Sequence, residues 1–271
     1  MGKGWSAHVR RTGKVVSVAL LLWLLGCGLV WGLLAFAPKV PVSPPDTVQA
    51  QIMRRTGLIT DGEGQGTITL VRRGGVTWGL TCAHCVTGSP LFVQVYNPDA
   101  LLDAELVVRS DDEDLAVVRI PTLSRDLPDL RLASVSPAVG TSLIHVGNFH
   151  GRRMPLSFST GVYSGNNREI EGQRYDQTTV VSLPGSSGGG VYTPDGVYVG
   201  MVARGAASDV NFIIPAEHIR EWAITHNVDF LFEPGLRVPK LPTSRPAVPV
   251  DVGLGLAPLT PIHIWPFSGS N

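Results

Sequence analysis

Short apolar runs broken by turn residues repeat along the middle of the chain. Residues 66–71 and 76–81 flank Arg72-Arg73-Gly74-Gly75 and predict a β-hairpin. Further strands are expected at 91–96, 104–108, 115–120, 142–146, 157–163, 178–183, 190–192, 197–203 and 210–214. Only 216–226 has helical spacing, with Ile219, Trp222 and Ala223 on one face. Strands this frequent, rich in Val, Thr and Gly, predict an all-β barrel or sandwich. The β region, 56–226, is long enough for one well-packed domain or two small fused barrels.

The ends of the chain carry other patterns. Residues 15–37 run without a charge, and as a helix they would cover about 34 Å, enough to cross a bilayer core. Lys3, Arg10, Arg11 and Lys14 precede this run, and the first acidic residue is Asp46. The positive-inside rule then expects a cytoplasmic N-terminus (1–14), one transmembrane helix (15–37) in contact with the lipid bilayer, and a periplasmic or extracellular remainder. Leu24-Leu25-Gly26-Cys27 offers a lipoprotein cleavage site as a minor alternative. A Pro-rich stalk is expected over 38–55. A Pro-rich extended tail is expected over 227–271, with Trp265 and Phe267 as possible pins.

Charge narrows the partners. The chain has 22 basic and 22 acidic residues, so removing the four basic residues before the apolar run leaves a modest acidic excess. That balance argues against nucleic acid. Three cysteines are too few for a disulfide scaffold. Cys82 and Cys85 bracket His84, but no second pair completes a four-ligand zinc site, so no metal or cofactor is expected. A local disulfide and two buried thiols both remain open.

The chemistry lies in a glycine-rich loop, Pro184-Gly185-Ser186-Ser187-Gly188-Gly189-Gly190. Ser187 is the candidate nucleophile, and the N–H groups of Gly185 and Ser187 are the candidate oxyanion hole. A serine hydroxyl needs a base, and His84, between a strand and a loop, is placed to serve. The third member is a carboxylate that orients the imidazole. Asp114 begins a predicted strand, whereas Asp111, Asp112 and Glu113 read as a solvated turn.

Taken in order, Thr81-Cys82-Ala83-His84-Cys85, Asp114-Leu115-Ala116-Val117 and Gly185-Ser186-Ser187-Gly188-Gly189 resemble the trypsin/chymotrypsin-like serine proteases. The short spacings resemble the HtrA/Deg branch most. The resemblance covers about 56–222, with further matches at 146–149, 161–163, 177–178, 196–200 and 211–215. It implies two six-stranded antiparallel β-barrels, with a short C-terminal helix and the triad His84, Asp114 and Ser187 between the barrels. It also implies hydrolysis of protein or peptide substrates through an acyl-enzyme, and trimers occur among the HtrA relatives. In the family's register Val181 floors the primary pocket, with Ala203 and Gly205 on its walls. An apolar floor favours small or medium aliphatic residues before the scissile bond. The whole expectation is a membrane-anchored serine endopeptidase.

Several positions depart from the family pattern. Ser186 replaces the aspartate that pairs with a newly cut N-terminus in digestive members. Gly190 stands where proline is usual, and Cys85 lacks its usual upstream partner. The Pro-rich tail takes the place of a PDZ module. Other readings are a catalytically silent, membrane-tethered binding module and a viral polyprotein-processing protease. The loop also satisfies the G-x-S-x-G of α/β-hydrolases, with Asp209 and His218 following, but the alternating strands and helices of that fold are missing.

Overall fold

The computed structural model describes residues 47–96, 99–207 and 209–239. The chain separates into two units, Met1–Thr47 and Val48–Asn271, and all the elements below belong to the second. Among the described residues, twelve strands form two sheets of six.

The first sheet is a closed antiparallel barrel of β1 (Thr56–Thr60), β2 (Gln65–Arg73), β3 (Val76–Thr81), β4 (Leu91–Val95), β5 (Ala100–Ser110) and β6 (Leu115–Ile120), with one register shift, between Leu106 and Val108 in β5–β6. The predicted hairpin is present as β2 and β3, paired from Thr69–Leu80 to Arg73–Val76. Ile68, Leu70, Leu80, Val93 and Val117 are fully buried in its core. Trp78 packs edge-on against Phe230, with ring centroids 5.0 Å apart. Phe230 lies in a single 3-10 turn, Asp229–Leu231, so the first part of the region read as extended tail is folded onto this barrel. Similarly, Val48–Arg54 forms a short helix, α1, inside the stretch read as stalk, with Ile52 buried.

The second sheet contains β7 (Ser142–Phe149), β8 (Met154–Ile170), β9 (Gln173–Thr178), β10 (Gly190–Tyr192), β11 (Tyr198–Ala207) and β12 (Val210–Pro215). The expectation of two like barrels is corrected here. The ring closes only through β10, a three-residue strand that meets β7 at two residue pairs, and register shifts interrupt the β7–β8, β8–β9, β10–β11 and β11–β12 pairings. Its separate core is small: Leu143, Tyr163, Val180, Val191, Val199, Val202 and Ile213. The strand expected at 178–183 ends at Thr178. The polar segment 173–178 takes its place, because Tyr175, Asp176 and Thr178 are the residues turned inward.

The helix expected at 216–226 is α2, Ala216–Thr225. It starts after Pro215, carries Glu217 in its first turn, and buries Ala216, Ile219, Trp222 and Ala223. Its ten residues span about 15 Å.

The membrane reading is corrected. Among the described residues no helix is long and apolar enough to cross a membrane, and the 15–37 run lies outside them. The single-pass anchor, the bilayer contact and the extracytoplasmic placement therefore have no spanning helix to rest on. Cys27, Trp265 and Phe267 also lie outside the described residues.

One buried histidine gives the second sheet a pH dependence. His145 on β7 is fully buried, its Nδ1–H donates to the Gly190 carbonyl at 3.0 Å, and its Nε2 has no partner. Burial pushes its pKa down to about 4 from the ordinary 6.5. The unfolded chain therefore binds the extra proton between those values, and stability falls as pH drops through that window. The loss should approach about 3 kcal/mol. Urea unfolding between pH 7 and pH 4 should show this slope in the wild type and a flatter one in His145→Gln. Equal slopes would show that His145 is not the group responsible.

Candidate active site

The antiparallel pairing of β3 with β6 sets the first half of the site. Thr81 lies opposite Ala116, so the end of β3 and the start of β6 share one rim. His84 follows β3 in a 3-10 turn, Ala83–Cys85, and Asp114 immediately precedes β6. Asp114 has φ 52°, a left-handed conformation that aspartate tolerates better than most residues. The turn aims its carboxylate at the histidine. Oδ2 and Oδ1 lie 2.8 and 2.9 Å from His84 Nδ1, and Oδ1 also accepts the His84 backbone N–H at 3.0 Å.

Three contacts to one residue fix the ring's orientation and place the Nδ1 proton against Asp114. The hydrogen bond to Asp114 favours the charged imidazole and raises the His84 pKa to about 10. Asp114 is nearly buried, while the His84 side chain is half exposed. A cleft of about 350 Å³ opens beside this pair, lined also by Thr87, Arg109, Asp111, Gln173 and Arg204.

The serine loop supplies the second half. Gly185 has φ 90°, and a Cβ there would meet the Gly151 nitrogen at 2.6 Å. Gly188 has φ 89°, and a Cβ there would overlap the Thr67 carbonyl. Both positions exclude any larger residue. The loop is stitched to β11, with Gly188 N–H donating to Val202 O at 2.8 Å and Val202 N–H to Gly189 O at 2.9 Å. Among the described residues the Gly185 and Ser187 N–H groups have no hydrogen-bond partner.

His84 and Asp114 are therefore in direct contact, whereas Ser187 makes no hydrogen bond to His84. Its hydroxyl donates to the Ala203 carbonyl at 3.4 Å. Ser186 is fully buried, and its hydroxyl turns back to the Leu183 carbonyl at 2.7 Å. It fills a structural role inside the loop.

The expected pocket residues lie on two segments, 180–182 and β11. Asn211 Nδ2 donates to Val180 O at 2.8 Å, next to the half-buried Val181. Gly205 lies against the Ser182 carbonyl, and Ala203 is buried on β11.

Sequence reasoning missed Thr67 and Asn148. Thr67 N–H donates to Ser187 O at 2.8 Å, and its Oγ donates to Gly185 O at 2.7 Å. The same Oγ accepts the Asn148 N–H at 2.9 Å, and Asn148 Nδ2 reaches Gly57 O at 2.7 Å. No local pattern records these contacts, because the partners of the Thr67 hydroxyl lie 81 and 118 positions away.

The sheets and site together define the class of protein, a trypsin-like peptidase fold. A family model described as a trypsin-like peptidase domain matches residues 64–201, about half the chain, and the chain belongs to that family. It is 30% identical over 148 residues to a protein of Hahella chejuensis described as a "Probable periplasmic serine endoprotease DegP-like". That match covers 51% of this chain and 30% of the relative, so the chain spans less than a third of that protein's length.

Among solved structures, Rv3671c of Mycobacterium tuberculosis in an inactive form superposes with a TM-score of 0.57 at 18% identity. The match covers 70% of this chain and 95% of that one. An HtrA-type protease, AlgW, with a tripeptide gives a TM-score of 0.56 at 22% identity, covering 67% and 64%. These likenesses establish the fold. The DegP-like relative agrees with the HtrA/Deg resemblance.

Thr67→Val removes the hydroxyl bonds to Gly185 and Asn148 and should cost about 1–3 kcal/mol of unfolding free energy. Amide exchange over 183–189 should accelerate in this variant and return toward wild type in Thr67→Ser. Unchanged exchange in Thr67→Val would remove Thr67 from the support of the loop.

Proposed function

We propose that the chain is a serine endopeptidase in which Ser187 is the nucleophile, His84 the general base and Asp114 the residue that orients the imidazole. The observation that carries this reading is the His84–Asp114 contact at the rim of a cleft, beside a loop with two unpartnered N–H groups. In the first step the Ser187 hydroxyl turns from the Ala203 carbonyl toward His84 Nε2 and attacks the substrate carbonyl as its proton passes to that nitrogen. The developing oxyanion accepts hydrogen bonds from the Gly185 and Ser187 N–H groups. His84 returns the proton to the leaving amine, and water cleaves the acyl-enzyme by the same route in reverse. Asp114 holds Nδ1–H throughout and stabilises the imidazolium.

The substrate is a protein or peptide. With Val181 at the base of the primary pocket and Ala203 and Gly205 beside it, the pocket offers no carboxylate to a lysine or arginine. Small or medium aliphatic residues suit it. In a peptide library, cleavage should fall mainly after Ala, Val or Leu; cleavage mainly after Lys or Arg would overturn this pocket.

A fluorophosphonate probe should label Ser187 in the wild type and fail in Ser187→Ala. Asp114→Asn should slow labelling by about 10⁴-fold through loss of the correct tautomer. The base must be neutral to act, and Asp114 raises the His84 pKa. The labelling rate should therefore climb with pH along a limb whose midpoint lies above 6.5, the ordinary histidine value. A folded wild type that remains unlabelled across pH 6–10 would contradict the proposal.

A further inference from the structure

Two thiols beside His84 take no part in the proposed hydrolysis. Cys82 precedes the 3-10 turn that carries His84, Cys85 ends it, and the Cys85 N–H donates to the Cys82 carbonyl at 3.1 Å. Both thiols are reduced and buried, with relative exposures of 0% and 5%. Cys82 Sγ lies 3.4 Å from the Val202 carbonyl, and Cys85 Sγ lies 3.7 Å from the Ser187 carbonyl.

The sequence lacks a second cysteine pair, and on that ground no metal was expected. The fold supplies a different ligand. Donor atoms of Cys82, His84 and Asp114 all lie within 4.8 Å of one another, although Asp114 is thirty residues from the histidine. Thiolate, imidazole and carboxylate together are the donor set of zinc. We propose that Cys82, His84 and Asp114 form a binding site for a zinc-type divalent cation, and that occupancy blocks the active site.

The geometry needs small adjustments. Tetrahedral donors around zinc lie about 3.3–3.7 Å apart. The 2.8 Å separation of Nδ1 and Oδ2 must open slightly, and the Cys82 thiol must swing in from Val202. Binding releases two protons to solvent, one from the Cys82 thiol and one from Nδ1 of the charged His84 imidazole. His84 gives its Nδ1 lone pair to the metal and keeps its remaining proton on Nε2, the atom that has to accept the Ser187 proton. The histidine is then unable to act as a base.

The blocking effect rests on the serine-protease reading, whereas the binding does not. Calorimetry and Co²⁺ absorption on the reduced, metal-stripped full chain test the binding. One equivalent of Zn²⁺ should bind, and Co²⁺ should give a thiolate charge-transfer band. Cys82→Ser and Asp114→Asn should each weaken binding by about tenfold or more. Ser187→Ala should bind as the wild type does. Fluorophosphonate labelling should vanish with Zn²⁺ and return with a chelator. If the metal-free protein never labels while binding persists, the protease reading fails and the site stands. The site is overturned if Co²⁺ shows no thiolate band or if Cys82→Ser binds as tightly as wild type. It is also overturned if inhibition follows thiol oxidation, with two hydrogens lost and no metal bound.

Discussion

One residue of the first sheet holds the serine loop of the second. Thr67 uses its backbone N–H for the Ser187 carbonyl and its hydroxyl for the Gly185 carbonyl. Once those carbonyls are tied back, the loop backbone has little freedom, and the N–H groups of Gly185 and Ser187 remain without internal partners. Buried amide groups seldom go unpaired, so donors left open in a loop this constrained are suited to a ligand oxygen. Gly185 and Gly188 make the arrangement possible, because a side chain at either would strike the backbone that anchors the loop.

The proposed base is built separately. A single antiparallel pairing, β3 with β6, brings His84 and Asp114 to the same rim, and three contacts then fix the imidazole. The two halves meet through packing, backbone bonds and side-chain bonds such as Thr67 Oγ to Gly185 O and Cys85 Sγ to Ser187 O. The Ser187 hydroxyl at rest turns to Ala203, so the two halves are assembled without yet being engaged. The resting contact is long at 3.4 Å, and a substrate that displaces it gives up little.

The order of residue types made much of the site legible: a histidine after a strand, an aspartate before another, and a serine among glycines. The hairpin 66–81 and helix α2 were also readable, because turn chemistry and periodicity act locally. Less was readable in the second sheet. Its β9 is a polar segment whose inward residues include Asp176, buried and accepting from Ser136 Oγ at 2.6 Å, so hydrophobic patterning placed the strand several residues too late. The short β10 and the interrupted pairings around it depend on where the serine loop attaches, which periodicity does not record. The apolar run at 15–37 led to a membrane topology that no described helix supports.

By itself, the sequence pointed to an all-β, trypsin-like domain and named His84, Asp114 and Ser187, rather than Ser186, as the candidate triad. These rest on residue type and order, and on glycines whose backbone demands are local. Only the tertiary structure decided that Thr67 and Asn148 support the loop, that His145 is buried without a partner for Nε2, and that Asp114 stands within reach of the Cys82 thiol. The physical reason is distance along the chain. Hydrogen bonds and shared ligand geometry between residues 30 to 118 positions apart come from strand register and sheet packing, and no local pattern encodes them.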